Sequence, residues 1–291
     1  FSGYSNIVYS FRNKYSLSGS IRIDQSNLFG TDPKYKYKPL WSVGAAWSLH
    51  REEFMKDLTW LTELKIRVAD GINGNVAKNS LPRVIAQSIL NGLMQPVSPA
   101  LTRSSFANSS LRWEQTRNRN LGIDFTINKR ISGSIDFYRK KSTDLLSSTT
   151  IDPTLGGGPT YINTASISNN GIELRLQADW IARPRFNWNT GLVLARNVGK
   201  TLKVYQNRAK YPSSINNAGY LEGYPIGAMF SYRWAGVDDT GMPLVAGEDG
   251  KIHRQSDADY SSVMVGTSGS VVRFMGTSIP VYNGGLSNRV D

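Results

Sequence analysis

The stretch that decides the fold reads Ile172-Glu173-Leu174-Arg175-Leu176-Gln177-Ala178-Asp179-Trp180, and apolar and polar residues alternate in it without exception. Successive side chains of a β-strand point to opposite faces, so this alternation predicts a strand with one apolar and one polar face. An amphipathic helix would need apolar residues three and four positions apart, which the stretch does not supply. The segment therefore predicts a β-strand.

The same alternation recurs along the chain and predicts an all-β fold of nine strands. They cover residues 4–12, 15–24, 39–49, 60–70, 111–127, 131–146, 165–181, 186–197 and 227–237, and a tenth strand is expected to begin near Val281. Several of these strands are longer than the five or six residues that are usual in soluble proteins.

The predicted connections alternate in length along the chain. The short ones are 12–14, 50–59, 128–130 and 183–185, and the long ones are 25–38, 71–110, 147–164 and 198–226. Short periplasmic turns at one end and long extracellular loops at the other are typical of outer-membrane barrels. The predicted fold is therefore a segment of a transmembrane antiparallel β-barrel. A soluble β-sandwich is the alternative, because alternation alone does not tell whether the apolar face meets lipid or a protein core.

The composition excludes several classes of function. The chain of 291 residues has no Cys and two His, and its 34 Lys and Arg against 22 Asp and Glu give a formal net charge of +12. The lack of Cys excludes a disulfide scaffold and a thiol nucleophile. His50 and His253 are isolated in the sequence, so neither a histidine metal site nor a Ser-His-Asp triad is expected. The basic residues are dispersed without a recognition motif, so no nucleic-acid partner is expected.

Acidic pairs and glycine-rich loops give no support for an enzyme or a cofactor. Glycoside hydrolysis needs two carboxylates about 5–10 Å apart, and the only tempting pairs are Glu52 with Glu53 and Asp257 with Asp259. Adjacent Glu residues in a short turn point apart, so Glu52 and Glu53 are predicted to be solvated. No enzymatic activity, cofactor or metal is therefore predicted.

Two consecutive runs carry a family resemblance. The first reads Trp113-Glu114-Gln115-Thr116-Arg117-Asn118-Arg119-Asn120-Leu121-Gly122-Ile123-Asp124, and the second reads Gly133-Ser134-Ile135-Asp136-Phe137-Tyr138-Arg139-Lys140-Lys141-Ser142-Thr143-Asp144-Leu145-Leu146. Together they resemble a strand–turn–strand signature of the SusC/RagA family, which are TonB-dependent outer-membrane transporters of Bacteroidetes. Shorter matches from Ser20 to Asn288 follow in the order of the family, so the resemblance covers essentially the whole chain.

The resemblance implies a location, a function and partners. Residues 1–291 would be part of a single TonB-dependent receptor barrel of about 22 strands, with the plug domain and TonB box outside this chain. Such a protein lies in the bacterial outer membrane, in contact with its lipid, and actively imports a bulky nutrient, either a glycan or an oligopeptide. The implied partners are a SusD-like lipoprotein lid and, through the plug, the TonB–ExbB–ExbD complex, and the family allows a dimer of transporter–lipoprotein pairs. A passive porin and a soluble carbohydrate-binding β-sandwich are the alternative functions.

Candidate ligand contacts come from the long loops rather than from the family motifs, which are strand motifs. Aromatic faces stack on sugar rings or peptide side chains, and Asn and Arg supply hydrogen-bond donors. The candidates for substrate binding are Tyr161, Asn163, Tyr205, Arg208, Tyr211, Asn217 and Tyr220. For each single residue, packing within the loops is the alternative role.

Overall fold

The computed structural model describes sixteen strands. The described residues are 2–24, 38–75, 83–92, 96–106, 108, 110–149, 154, 160–204, 215, 220–247, 250–261 and 271–291. The strands are β1 (Ser2–Phe11), β2 (Tyr15–Asp24), β3 (Lys38–Ser48), β4 (Leu61–Asn75), β5 (Ile85–Asn91), β6 (Ser98–Ser105), β7 (Glu114–Ile127), β8 (Ile131–Thr149), β9 (Thr160–Arg183), β10 (Phe186–Lys203), β11 (Ala228–Tyr232), β12 (Trp234–Val237), β13 (Pro243–Ala246), β14 (Ile252–His253), β15 (Val272–Thr277) and β16 (Tyr282–Val290). No helix among these residues is long and apolar enough to cross a bilayer.

Nine strands form one sheet in the order β1-β2-β3-β4-β7-β8-β9-β10-β16. Eight of them match predicted strands, and β16 confirms the strand expected to begin near Val281. The hairpin of β5 and β6 lies within the predicted loop 71–110 and forms a separate two-stranded sheet. Two short 3-10 helices, Leu49–Arg51 and Glu53–Met55, lie in the turn between β3 and β4. The short turns all lie at one end of the sheet, because they are every second connection between neighbouring antiparallel strands.

One face of this sheet carries an apolar row that crosses seven strands. The residues stand directly opposite one another from strand to strand, and the row consists of Tyr9, Leu17, Ala45, Val68, Leu121, Phe137 and Ile172. Its six larger side chains are between 40% and 59% exposed. Side chains this open are not interlocked with a second sheet. The soluble-sandwich alternative is therefore wrong, and this surface has the character of a lipid-facing wall.

The chain divides into two compact units, residues 1–198 with 281–291, and residues 199–280. The second unit contains the sheets β11–β15 and β12–β13–β14. The rings of Tyr224, Phe230 and Phe274 pack together in it, with centroids 5.0–5.8 Å apart.

The strand predicted over 227–237 differs from the structure. It is two short strands, β11 and β12, and neither belongs to the nine-stranded sheet. β11 pairs with β15, whereas β12 pairs with β13. The backbone changes partner at Arg233, whose N–H donates to the carbonyl of Val271.

Candidate functional site

The face opposite the apolar row carries a network of charged side chains. Arg67 donates from Nε and Nη2 to the two carboxylate oxygens of Asp124, at 2.7 and 2.8 Å, and from Nη2 to Asp136 at 3.2 Å. Gly122 lies between Arg67 and Asp136 in the register of the sheet. A Cβ atom at position 122 would lie 2.6 Å from the Arg67 Nη2, so the glycine leaves the space that this guanidinium occupies. The polar face is therefore crossed by ion pairs from strand to strand.

Asn163 is the predicted site residue with the most contacts. Its side chain is buried, and its Oδ1 accepts a hydrogen bond from the Arg112 backbone N–H at 3.0 Å. Its Nδ2 donates to the backbone carbonyls of Arg112, at 2.9 Å, and of Asp144, at 2.7 Å. Both amide protons are thus used within the protein, so Asn163 holds the segment before β7 against β8 and β9.

Three residues absent from the predicted site extend this hydrogen-bond network, namely Arg112, Gln115 and Asp144. The Arg112 Nη2 donates to the Asp144 carboxylate at 2.7 Å, and Gln115 donates to its other oxygen at 2.9 Å. Asp144 has a φ of 57° and lies where β8 shifts its pairing with β9 between Ser142 and Leu145. The Asp144 side chain thus links the irregular part of β8 to Arg112, just before β7, and to Gln115 in β7. Asp144 lies inside the strand predicted over 131–146, and nothing in that pattern indicated this role.

The other predicted contacts are exposed or lie outside the described residues. The Tyr161 side chain is 49% exposed, and its backbone carbonyl accepts a hydrogen bond from the Asn108 amide. Tyr220 is 56% exposed in the second unit. The remaining four lie outside the described residues: Tyr205, Arg208, Tyr211 and Asn217. Tyr161 and Tyr220 therefore expose their side chains, whereas the Asn163 side chain is used in hydrogen bonds within the fold.

His253 has partners that its isolated place in the sequence did not predict. Its ring is 5% exposed, and its Nδ1 lies 3.3 Å from a carboxylate oxygen of Asp259. Potential ligand atoms of His253, Asp257 and Asp259 all lie within 4.8 Å of one another. The Asp257 carboxylate also accepts a hydrogen bond from the Arg254 N–H at 2.6 Å. These contacts explain the cluster as the stabilisation of the turn that follows β14.

Glu52 is not solvated. This corrects the prediction that the adjacent residues Glu52 and Glu53 both point into solvent. Its carboxylate accepts hydrogen bonds from Lys14 Nζ at 2.8 Å, Tyr15 Oη at 2.6 Å and Trp47 Nε1 at 3.0 Å. The Glu52 side chain is 12% exposed, whereas that of Glu53 is 78% exposed. The three donors, with Lys14 foremost, lower the pKa of Glu52 from 4.5 to about 2. Glu52 therefore joins the first short turn to the second.

This cluster predicts a pH dependence that Glu52→Gln removes. Because the pKa is lower in the folded state, the stabilisation is present above pH 4.5 and is lost as the pH falls through about 2. We expect the thermal midpoint of the wild type to fall more steeply over this range than that of Glu52→Gln. Asp57→Asn, which changes an exposed acid in the same turn, is the matched control and should follow the wild type. Parallel curves for the wild type and Glu52→Gln would contradict the assignment.

The geometry first defines a class of protein. A sheet of long antiparallel strands, with an exposed apolar face, a charged opposite face and tight turns at one end, is the wall of a transmembrane β-barrel. The comparisons then give the family. A model described as "TonB dependent receptor-like, beta-barrel" matches residues 2–261, and the chain belongs to this family. Receptors of this family lie in the outer membrane, so the apolar row faces lipid and the Arg67 network faces the barrel interior.

Similar proteins are found among both sequences and structures. TonB-dependent receptor P26 of Formosa agariphila is 32% identical over 204 residues, which is 68% of this chain and 20% of that protein. TonB-dependent receptor SusC of Bacteroides thetaiotaomicron is 28% identical over 259 residues, or 83% of this chain and 26% of that protein. The structure of the RagAB peptide transporter matches 100% of this chain and 31% of its own, with a TM-score of 0.81 and 23% identity. The chain thus spans about a fifth to a third of the relatives it matches.

Proposed function

We propose that this chain is part of the barrel of a transporter that imports a bulky nutrient, a glycan or an oligopeptide, by TonB-dependent active transport. The observation that carries the proposal is the seven-strand apolar row, with the ion pairs of Arg67 on the opposite face. A wall that is apolar outside and charged inside surrounds a polar lumen, as a barrel that admits hydrophilic cargo requires. Residues 1–291 are then one part of a single barrel domain, and the proposed role involves no covalent chemistry.

The partners follow from the resemblance to the SusC/RagA family. We propose a SusD-like lipoprotein that closes as a lid over the long-loop end of the barrel. Energy would come from TonB–ExbB–ExbD acting on a plug domain, and a dimer of transporter–lipoprotein pairs is the proposed assembly. SusC is one of the relatives, and RagAB is a peptide transporter. At 23% identity the RagAB structure supports the fold alone. The proposed cargo is therefore still either a glycan or an oligopeptide.

Tyr161 and Tyr220 are the proposed cargo contacts among the described residues. Both side chains are exposed, and an aromatic ring offers a flat apolar face for a sugar ring or a peptide side chain. Asn163 lies two residues from Tyr161 on β9, and its hydrogen bonds to Arg112 and Asp144 fix the strand that presents the tyrosine. Asn163 would thus affect cargo binding by holding Tyr161 in position and not by contacting the cargo itself.

The test measures uptake and binding with labelled oligosaccharides and labelled oligopeptides. One of the two probes should enter cells that carry the complete transporter, and its entry should stop in cells without TonB, whereas a passive porin would keep it. Tyr161→Ala should weaken binding of that probe to the purified transporter by about 3- to 10-fold. Tyr9→Ala removes a tyrosine of comparable exposure, 59% against 49%, from the lipid-facing row and should leave binding unchanged. Equal effects of the two variants would contradict the assignment of Tyr161.

A further inference from the structure

The lipid-facing surface carries two pairs of like charges immediately beyond the apolar row. In the register of β7 and β8, Arg119 stands directly opposite Arg139, and Arg117 stands directly opposite Lys141. Arg119 and Arg139 lie two residues from Leu121 and Phe137 and therefore on the same face. Like charges directly opposite one another destabilise a sheet. Two such pairs in succession need a compensating anion.

The described residues supply only part of the negative charge that would compensate these cations. Asp70 of β4 accepts hydrogen bonds from Arg117 at 2.6 and 3.0 Å, and one of its oxygens lies 3.6 Å from Arg119. Within the described ranges, Arg139 and Lys141 make no ion pair, and both are exposed. On β9, the residues opposite them are the uncharged Asn170 and Ser168. Four cations against one carboxylate leave an excess of three positive charges.

The surface beneath these charges has the shape and polarity of a lipid site. A groove of about 430 Å³ is lined at one end by Arg119, Arg139 and Asp70, and at the other by Val68, Leu121 and Phe137. Val68, Leu121 and Phe137 are 52%, 42% and 42% exposed. A cationic end that continues into an open apolar end matches a molecule with a phosphorylated head and a hydrocarbon chain.

The position along the strand places the charges at the membrane surface. Arg119 is eight residues from Ile127, the last residue of β7 before a short turn. Eight residues extend roughly 27 Å along a strand. With a strand tilt of about 40°, this becomes a height of roughly 20 Å, against an apolar band about 25 Å tall. The charges therefore lie near the headgroups on the side of the long loops, which is the outer leaflet.

We propose that these cations bind the phosphate of an anionic lipid in the outer leaflet, whose chain lies on the apolar end of the groove. We call this set of four residues the outer collar: Arg117, Arg119, Arg139 and Lys141. Arginine pairs bidentately with phosphate, so Arg119 and Arg139 would share one phosphate group and relieve their mutual repulsion. The inference rests on the outer-membrane placement and is independent of what the transporter carries.

The test uses the complete transporter, delipidated in dodecyl maltoside, with dioleoylphosphatidylglycerol and dioleoylphosphatidylcholine as probes. Native mass spectrometry should show preferential retention of phosphatidylglycerol by the wild type. The double variant Arg119→Gln/Arg139→Gln should retain it at least about tenfold less, because two charge-assisted hydrogen-bonding groups are lost. Without lipid, this variant should unfold at the same temperature as the wild type or a higher one, since the repulsion is gone. That result would exclude misfolding as the reason for the lost lipid.

The control removes two cations from the opposite end of the barrel. Lys129→Gln/Arg183→Gln changes the charge equally in exposed short turns and should keep the preference for phosphatidylglycerol. Equal retention of the two lipids by the wild type, or equal loss in the two double variants, would overturn the proposal. Displacement of phosphatidylglycerol from the wild type by millimolar inorganic phosphate would also overturn it, because the collar would then bind a soluble anion.

Discussion

Replacing Ile135 with Arg is expected to lower the free energy of unfolding by about 2–4 kcal/mol, the cost of a cation on the lipid face near the bilayer centre. Ile135 stands between Ile123 and Leu174 in a row parallel to the seven-strand apolar row and closer to the short turns. Its neighbours in this row are apolar, so the introduced guanidinium would find no anion within the row. The measurement is equilibrium unfolding by denaturant of the complete transporter, refolded into lipid vesicles.

Ser134→Arg is the matched control, because the neighbouring residue places the same side chain on the other face. There it stands opposite Asp124 and Arg175, on the charged interior wall. A new arginine can reach water and the Asp124 carboxylate, so the expected loss is below about 1 kcal/mol. Equal losses for the two variants would contradict the assignment of the faces.

Asn163→Leu is expected to cost about 2–4 kcal/mol, because it removes the hydrogen-bond partner of three part-buried backbone groups. These groups are the N–H and carbonyl of Arg112 and the carbonyl of Asp144. The same unfolding measurement gives the free energy. Amide hydrogen exchange should also show loss of protection at Arg112, where the side chain of Asn163 is the acceptor.

Asn170→Leu is the comparison for this variant, since Asn170 is exposed on the same strand. It should change the free energy of unfolding by no more than about 0.5 kcal/mol. A small effect of Asn163→Leu, combined with a large loss of cargo binding, would contradict the positioning role and make Asn163 a direct contact.

The strands could be predicted from the sequence because a sheet with unlike faces imposes a period of two on every strand in it. The same argument explains the error over 227–237. The alternation of Phe230, Tyr232 and Trp234 continues in the sequence across the break at Arg233, where β11 ends and β12 begins. A period reports which face a side chain occupies but not which strand lies beside it. The change of strand partner, from β15 for β11 to β13 for β12, could therefore not be predicted from the sequence.

Most of the contacts that the sequence did not predict join distant residues, although His253 meets Asp259 only six positions away. Glu52 takes its hydrogen bonds from Tyr15 and Trp47, and Tyr15 is 37 positions away. Asn163 meets Arg112 across 51 positions. Neither residue carries a local signal, because the partners meet only once the register of the sheet is set. The loop position of Asn163 suggested ligand binding, whereas the paired strands give the amide a structural use.

The length of β9 has a consequence for any lipid-anchored partner. From Asn170, beside the outer collar, β9 continues ten residues further to Thr160. That is roughly 34 Å along the strand and about 25 Å in height at the usual tilt, so the rim of the wall stands well clear of the bilayer. A fully stretched tether would need about eight residues to reach this height. A flexible tether would need about 20 residues. A lid attached to the bilayer by a shorter tether could not move freely over the opening of the barrel.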